Sequence, residues 1–544
     1  MSRPTGTSVR RTMRRSIGVL AVAAVALATA ACGAPAGGSA PAAQQPAGEA
    51  DLNASAVFAY AIGPSTLDPA KNVQRGGADI YLLPLYDRLT RLGPKGEVEP
   101  MLATAWEFAP DGSALTLTLR PDATFADGSK VDAAAVKANL DRMRTIPGGI
   151  SVQSLQVITE ITAPDPGTVV IGLQKGSGAQ LPVLFAENTG MIMNPKAFAD
   201  PAADLTTSIG VGNESGPYTL AGMQPGPGGK INYTRRADIA DYWDKDAAKI
   251  AELEWLNIPT AAQRINAAQA GDITMGQVTG VDVARAKQLV ESGQVAGMFF
   301  RQPKINQELW LQASRPPLDN VKVRQAIQAA IDRNAINEGL FNGDCTPTIQ
   351  DYPEGQHWAS SPALAQIPPA DPEKARRLIA ESGVGTPKFT LYAAETWKAQ
   401  GQAVQQALRD VGMDVELAVD TRTPGGPTFA KGDFDAQQGA FVGSSDPAQL
   451  VTDLYFGNIN LVPEADRAPY EPLLAQLGDP LLSQDQRAKV FDEMAQMLYE
   501  GAYSVPMCYG SQVWLTDGSV GNLETMPGTD IGLVDVRYLY VTAK

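Results

Sequence analysis

"KFTLYAAETWKAQGQAVQQALRDVGMDVELAVD", Lys388 to Asp420, reads as a strand, a helix and a second strand in turn. "KFTLYAAE" and "DVELAVD" have the apolar and β-branched content of strands, and "AQGQAVQQALRDVG" between them is helical and closes on Gly412. A strand–helix–strand alternation implies parallel pairing with the helix packed on the sheet, so the fold class is α/β. Upstream, "DPEKARRLIAESG" offers Asp371 as an N-cap and Gly383 as a stop. "NVKVRQAIQAAIDRNAINEGLF" repeats the helical spacing through Val323, Ile327, Ile331 and Ile336, with Gly343 beyond its end.

The N-terminal part has a different texture. In "LATAWEFAPDGSALTLTLRPDATFADGS", Pro110-Asp111-Gly112 predicts a turn, "ALTLTLR" a half-buried strand, and Phe125 to Gly128 another turn. "VDAAAVKANLDRMRTI" returns to helix behind Asp132, and "LQVITEITAPDPGTVVIGL" is a pair of strands. "ADIYLLPLYDRLTRL", from Ala78 to Leu92, has apolar residues at helical spacing. "MQPGPGGKI" reads as a hairpin turn, "SQDQRAKVFDEMAQMLYEG" as the last helix, and "YSVPMCYGSQVWL" as strand after it.

The 544 residues, 44% hydrophobic and 19% charged, imply two or three domains. Lys and Arg total 44 against 59 Asp and Glu, a net charge of -15. Five arginines (3, 10, 11, 14 and 15) lie in the leader, and without them the balance is 39 against 59, or -20. So acidic a body, with no basic patch, argues against nucleic-acid binding. The leader has the order of an export signal: arginines, an apolar run from Ile17 to Ala28, then Thr29-Ala30-Ala31-Cys32. Small residues before Cys32 mark a lipidation site, an ordinary secretory signal being the alternative. The tail "GAPAGGSAPAAQQPAGEADLNA" is too poor in large apolar residues to fold and suits a tether. Cys345 and Cys508 are expected either as a disulfide or as two buried thiols.

Enzyme chemistry finds little support. The one histidine, His357, cannot supply a two-histidine metal site, and no nucleophile elbow, phosphate loop or Cys-x-x-Cys pair is present. The expectation is a protein with no cofactor, no metal ligands and no catalytic residues.

The landmarks Leu67-Asp68-Pro69, "LATAWEFAPDGSALTLTLRPDATFADG", Gly216-Pro217-Tyr218, "DYWDKD", "AAQAGDI", "VRQAIQAAIDRNAI", "LRDVGMDVEL" and "SVPM" occur in one order between about residues 57 and 515. In that order the chain resembles the extracellular solute-binding proteins of the peptide and nickel type (family 5), which serve bacterial ABC importers. Ala126 departs from the family pattern, which has His there.

The resemblance implies an α/β, two-lobed, periplasmic-binding-protein-like fold (type II, cluster C) with an extra domain inserted in the first lobe. Its parts would be a signal peptide at 1–31, a lipid-tethered linker at 32–52, a base lobe at 53–85, 211–310 and 500–544, the insertion at 86–210 and a second lobe at 311–499. The implied partners are a small solute and an ABC permease with its ATPase. The protein would be a monomer held outside the cytoplasmic membrane by a lipid on Cys32. A regulatory or scaffold lipoprotein on the same fold is the alternative, and a carboxylate-based hydrolase is a third.

The resemblance also implies the cleft residues. "GAFVGSSDPAQL", Gly439 to Leu450, would face the solute through Phe441, Gly443, Ser444, Ser445 and Asp446. Peptide binders of the family place an aspartate where Ser444 stands, to meet a peptide's ammonium, so this cleft should prefer neutral, anionic or N-blocked solutes. Ser444→Asp should then improve binding of free peptides. A duller role for the serines is to satisfy loop amides. Val73, Gln74, Arg75 and Gly76, together with Trp397, Arg422 and Tyr509, complete the expected cleft.

Overall fold

The computed structural model describes residues 48–72, 79–93, 97–149, 151–300, 305–352, 358–420, 426–442, 444, 446–457, 459–525 and 535–543. The leader, Cys32 and most of the linker, and also His357, lie outside the described residues.

Strands Lys388–Ala394 and Asp414–Asp420 pair in parallel, in register from Lys388 with Asp414 to Ala394 with Asp420, and helix Lys398–Asp410 connects them. The helix lies close to the sheet at Gly401, where a Cβ would sit 2.8 Å from Cβ of Ala393. Parallel pairing is less general than the sequence implied. The six-stranded sheet runs in the order Thr346–Pro347, Ser504–Tyr509, Ile305–Leu311, Ala436–Val442, Lys388–Ala394, Asp414–Asp420, and its first three pairings are antiparallel. Only connections that pass through a crossover helix produce parallel neighbours here; the other strands enter from distant segments and are free to run either way.

A second sheet of seven strands has the order Ala296–Phe300, Gln512–Thr516, Met275–Thr279, Ser55–Tyr60, Glu252–Asn257, Lys230–Arg235, Tyr218–Gln224. Ser55–Tyr60 is parallel to both its neighbours, and the "MQPGPGGKI" turn joins an antiparallel hairpin. Its core is aromatic: Tyr60 stacks on Trp514 with ring centroids 6.2 Å apart, and Trp255 meets both edge-on. A third, antiparallel sheet holds Ala103–Phe108, Ala114–Leu119, Thr168–Leu173 and Ile158–Asp165, with helix Ala133–Met143 against it. Asp132 caps that helix by accepting from the Ala135 amide at 2.9 Å.

Three local expectations are redrawn. Residues 79–92 form one 3-10 turn, Asp79–Tyr81, followed by turns and the short strand Thr90–Leu92. Pro84 has no amide to donate and disfavours helix in the residue before it, which stops the apolar run from continuing as a helix. The 320–341 stretch is two helices, Val321–Ala330 and Arg333–Phe341, because Asp332 caps the second through the Ala335 amide. "YSVPMCYGSQVWL" is two strands in two different sheets, parted at Gly510-Ser511.

The chain thus passes between the large sheets at 510–511 and between Phe300 and Ile305. Strands Ile305–Leu311 and Ser504–Tyr509 are bonded into the six-stranded sheet, although the implied domain edges put most of their residues with the base segments. Cys345 and Cys508 are joined as a disulfide in the core of this half, with Cα atoms 5.6 Å apart.

Candidate functional site

Strand Ala436–Val442 pairs with Ile305–Leu311 so that Val442 faces Ile305 and Phe441 faces Asn306. The 443–446 loop therefore leaves the sheet at the end where the chain crosses to the seven-stranded sheet. Side chains of Phe441 and Val442, and Gly443 and Ser445 altogether, lie outside the described residues.

Ser444 is buried although it sits in a loop. Its Oγ donates to Oε1 of Glu187 at 3.1 Å, and its carbonyl accepts from the Tyr352 hydroxyl at 2.7 Å. Its Oγ also accepts from the Asp446 amide at 3.2 Å, which is the loop-satisfying role. Asp446 is committed elsewhere: it caps helix Pro447–Val451 by accepting from the Gln449 amide at 3.1 Å, and its other oxygen accepts from Arg487 at 3.3 Å. The Arg487 guanidinium lies over the Trp358 ring, 4.5 Å from its centroid.

Glu187 belongs to the segment that follows helix Leu181–Leu184, in the part of the chain that carries the four-stranded sheet. The adjacent Asn188 donates to the carbonyls of Pro69 at 3.2 Å and Asn72 at 3.5 Å, and Asn72 donates to Asp79 at 2.6 Å. Asp68 of Leu67-Asp68-Pro69 is held by Arg142, whose Nη1 donates to Oδ1 at 2.7 Å. Residues 72 and 79 flank the expected contact loop, so the structure brings the base of that loop and Ser444 together through Glu187 and Asn188. Val73, Gln74, Arg75 and Gly76 themselves, like Arg422, lie outside the described residues.

Trp397 caps the start of helix Lys398–Asp410 at the carboxyl end of strand Lys388–Ala394, half-buried. Tyr509 is not open to a cleft: it is buried, and its hydroxyl donates to the Gln350 carbonyl at 2.5 Å.

Behind the loop lies a polar group that no motif announced. Asn306 donates to Asp351 at 3.4 Å, the Tyr455 hydroxyl donates to Asp351 at 2.8 Å, and Tyr455 and Ser504 hydroxyls share a bond at 2.8 Å. Glu308, fully buried, adjoins them. Burial, then the charge of Asp351, pushes the Glu308 carboxyl well above the ordinary range, against smaller lowering by Trp310 and Ser504. Burial likewise pushes Asp351 up to about 6. In the other large sheet Gln277 donates to Gln512 at 2.7 Å. Among the described residues no three His, Cys, Asp or Glu side chains converge as a metal site, and no helix is long and apolar enough to cross a membrane.

Glu187 was missed because 257 positions separate it from Ser444. Glu308 and Asp351 were missed because they stand in strand-like and loop-like stretches with no distinguishing spacing.

The model of "Bacterial extracellular solute-binding proteins, family 5 Middle" matches residues 97–461. The glutathione-binding protein GsiB of Salmonella typhi is 28% identical over 338 residues, which are 61% of this chain and 63% of that protein. GsiB of Escherichia coli strain K12 is 27% identical over 337 residues, with the same coverage of each. The match thus spans less than two thirds of these relatives' length. Among solved structures, the binding protein AgaA from A.tumefacien R10 in complex with agropinic acid superposes with a TM-score of 0.76, at 24% identity over 90% of this chain and 99% of that one. The Escherichia coli murein tripeptide binding protein MppA superposes with a TM-score of 0.75, at 20% identity over 91% and 100%. These likenesses establish the α/β periplasmic-binding-protein-like fold of type II. With the family model matched over more than half its length, the chain belongs to the bacterial extracellular solute-binding proteins of family 5.

Proposed function

We propose that the protein is the solute receptor of an ABC import system: a lipoprotein that captures a small solute by closure of two lobes and delivers it to a membrane permease with its ATPase. The observation that carries this reading is the family match over 97–461, joined to a fold in which two large sheets are linked by two short crossings. Such links act as hinges because few backbone dihedrals need to change when the halves move. The lobes would be the halves built on the seven-stranded and six-stranded sheets, with residues 86–210 as the inserted domain and the protein acting as a monomer. No bond is broken in this cycle, and no cofactor enters it.

The solute is peptide-like, or another neutral or anionic compound. Ser444 supplies dipoles and no charge, Asp446 is occupied by its helix and by Arg487, and Glu187 already accepts the Ser444 hydroxyl. A desolvated ammonium would lack an uncommitted carboxylate among the described residues of this loop. The glutathione bound by GsiB and the tripeptide of MppA's name are members of the peptide-like class and are the first compounds to try.

Native mass spectrometry of protein purified without denaturation tests the reading by identifying any solute carried through. Calorimetry with glutathione and with unmodified and N-acetylated tripeptides follows. Tight binding of a free peptide that is lost on acetylation would overturn the neutral-or-anionic preference, and loss of that binding in Glu187→Gln would name the acid responsible. A protein that carries no solute and binds none of a broad panel of small solutes would overturn the transport reading.

A further inference from the structure

Glu308 and Asp351 lie on different elements, one in strand Ile305–Leu311 and one after the short strand Thr346–Pro347, yet they are neighbours: Asn306, two residues before Glu308 on its strand, bonds half-buried Asp351. Glu308 is fully buried, and no hydrogen bond of good geometry reaches either of its oxygens. Trp310 and Ser504 stand close to it, and Tyr455 and Tyr509 complete the ionisable groups around the pair. No cation among the described residues forms an ion pair with either carboxyl; Arg333, a buried arginine of helix Arg333–Phe341, gives its Nε to the carbonyls of Thr348 and Pro506.

A fully buried carboxylate beside a second, half-buried one, with no cation paired to either among the described residues, is costly to charge, and the usual outcome is neutralisation of the buried one. Tyr455 donates to Asp351, Ser504 is bonded to Tyr455, and Ser504 adjoins Glu308, so the hydroxyls reach from Asp351 to the side of Glu308 without bonding to it.

We propose that Glu308 and Asp351, beside Tyr455 and Ser504, hold a proton between them at neutral pH, and that this proton braces the two strands that lead into the crossings. Ile305–Leu311 begins at one crossing and Ser504–Tyr509 ends at the other. Asn306, bonded to Asp351, stands opposite Phe441 in register, directly before the 443–446 loop. Loss of the proton places like charges between these elements.

The direction of the pH effect follows from the raised values. Unfolded carboxylates release their protons near pH 4. The folded pair keeps one proton, on Glu308, beyond about pH 6, the value reached by Asp351, and a second on Asp351 below it. The folded protein therefore binds more protons than the unfolded chain in this window, and stability is lost as pH rises through it. His357 is the one histidine of the sequence, and Glu214, whose carboxyl burial also pushes up, is a second group whose contribution the variants below separate from that of the pair.

Urea unfolding of the full chain in half-unit steps from pH 5 to 8, in a His357→Ala background, reads the proton directly. The expected result is a folding constant that falls about tenfold per pH unit above about pH 6, the slope of one proton, and more steeply below it. Glu308→Gln, neutral and of the same shape, should flatten that slope and be more stable than the parent at pH 8. Asp351→Asn serves where Glu308→Gln does not fold. A flat parental profile from pH 5 to 8 overturns the proposal whatever the variants do, and so does a slope unchanged by both substitutions.

Discussion

Arg537 donates to Asp87 across 450 positions of sequence, Nη2 to Oδ1 at 2.6 Å, with both side chains buried. Asp87 also accepts from the Tyr242 hydroxyl and the Trp243 indole, each at 2.6 Å. The contact fastens the segment around Arg537 to the segment that precedes strand Thr90–Leu92. Arg537→Met leaves Asp87 charged and buried with neutral donors only, and should cost about 3 to 5 kcal/mol. Chemical denaturation at neutral pH measures it. A loss below 1 kcal/mol would mean that Tyr242 and Trp243 suffice.

The Ser444–Glu187 contact adds a stability expectation for the same position. Ser444→Asp puts a carboxylate against Glu187 and should destabilise the protein more than Ser444→Ala, which removes a hydrogen bond to a charged acceptor at about 1.5 to 3 kcal/mol. Ser444→Asp combined with Glu187→Gln should recover part of the loss. A double-mutant cycle by denaturation checks it, with no recovery as the contrary result.

Gly401→Ala tests packing against propensity. Alanine gains about 1 kcal/mol in a helix, but its Cβ would meet that of Ala393 at 2.8 Å. Overpacking typically costs about 1 to 3 kcal/mol, so a net loss is expected. A higher melting temperature would show that helix Lys398–Asp410 can shift outward.

The disulfide links residues 163 positions apart, and its removal should cost about 2 to 5 kcal/mol. Both cysteines should resist alkylation in native protein and in urea until a reductant is added. Rapid labelling of the unfolded, unreduced chain would contradict the pairing.

Cys32→Ala should release the protein from membranes, since the polar linker offers no other apolar attachment. Fractionation of cells that express the variant decides it. Retention in the membrane fraction would end the lipoprotein reading.

Much of the fold was legible where a signal is local. Asp371 caps its helix by accepting from the Lys374 amide at 2.8 Å, Gly383 ends it in a left-handed turn, and Gly112 does the same in the Pro110 turn. These residues act on neighbours two to four positions away, and sequence records such effects directly. What was illegible depends on distant segments. Nothing in "YSVPMCYGSQVWL" marks Gly510-Ser511 as a change of sheet, because either half reads as a buried strand. The loop that holds buried Ser444 and Asp446 stood out in the sequence through its serines, but the acids bonded to it or near it, Glu187, Glu308 and Asp351, have no local signature.

The crossing at Gly510-Ser511 also bears on when the chain can fold. Gln512–Thr516 sits between Met275–Thr279 and Ala296–Phe300, and Ser504–Tyr509 sits between Thr346–Pro347 and Ile305–Leu311. Both are interior strands, so a nascent chain lacking residues 504–516 has a gap in each large sheet, and neither half can close its core. Synthesis runs from the N-terminus, and domains ordinarily fold as they emerge. Here that order is denied: completion of both sheets waits for one late segment. The two sheets consequently close together, once residues 504–516 are available to both.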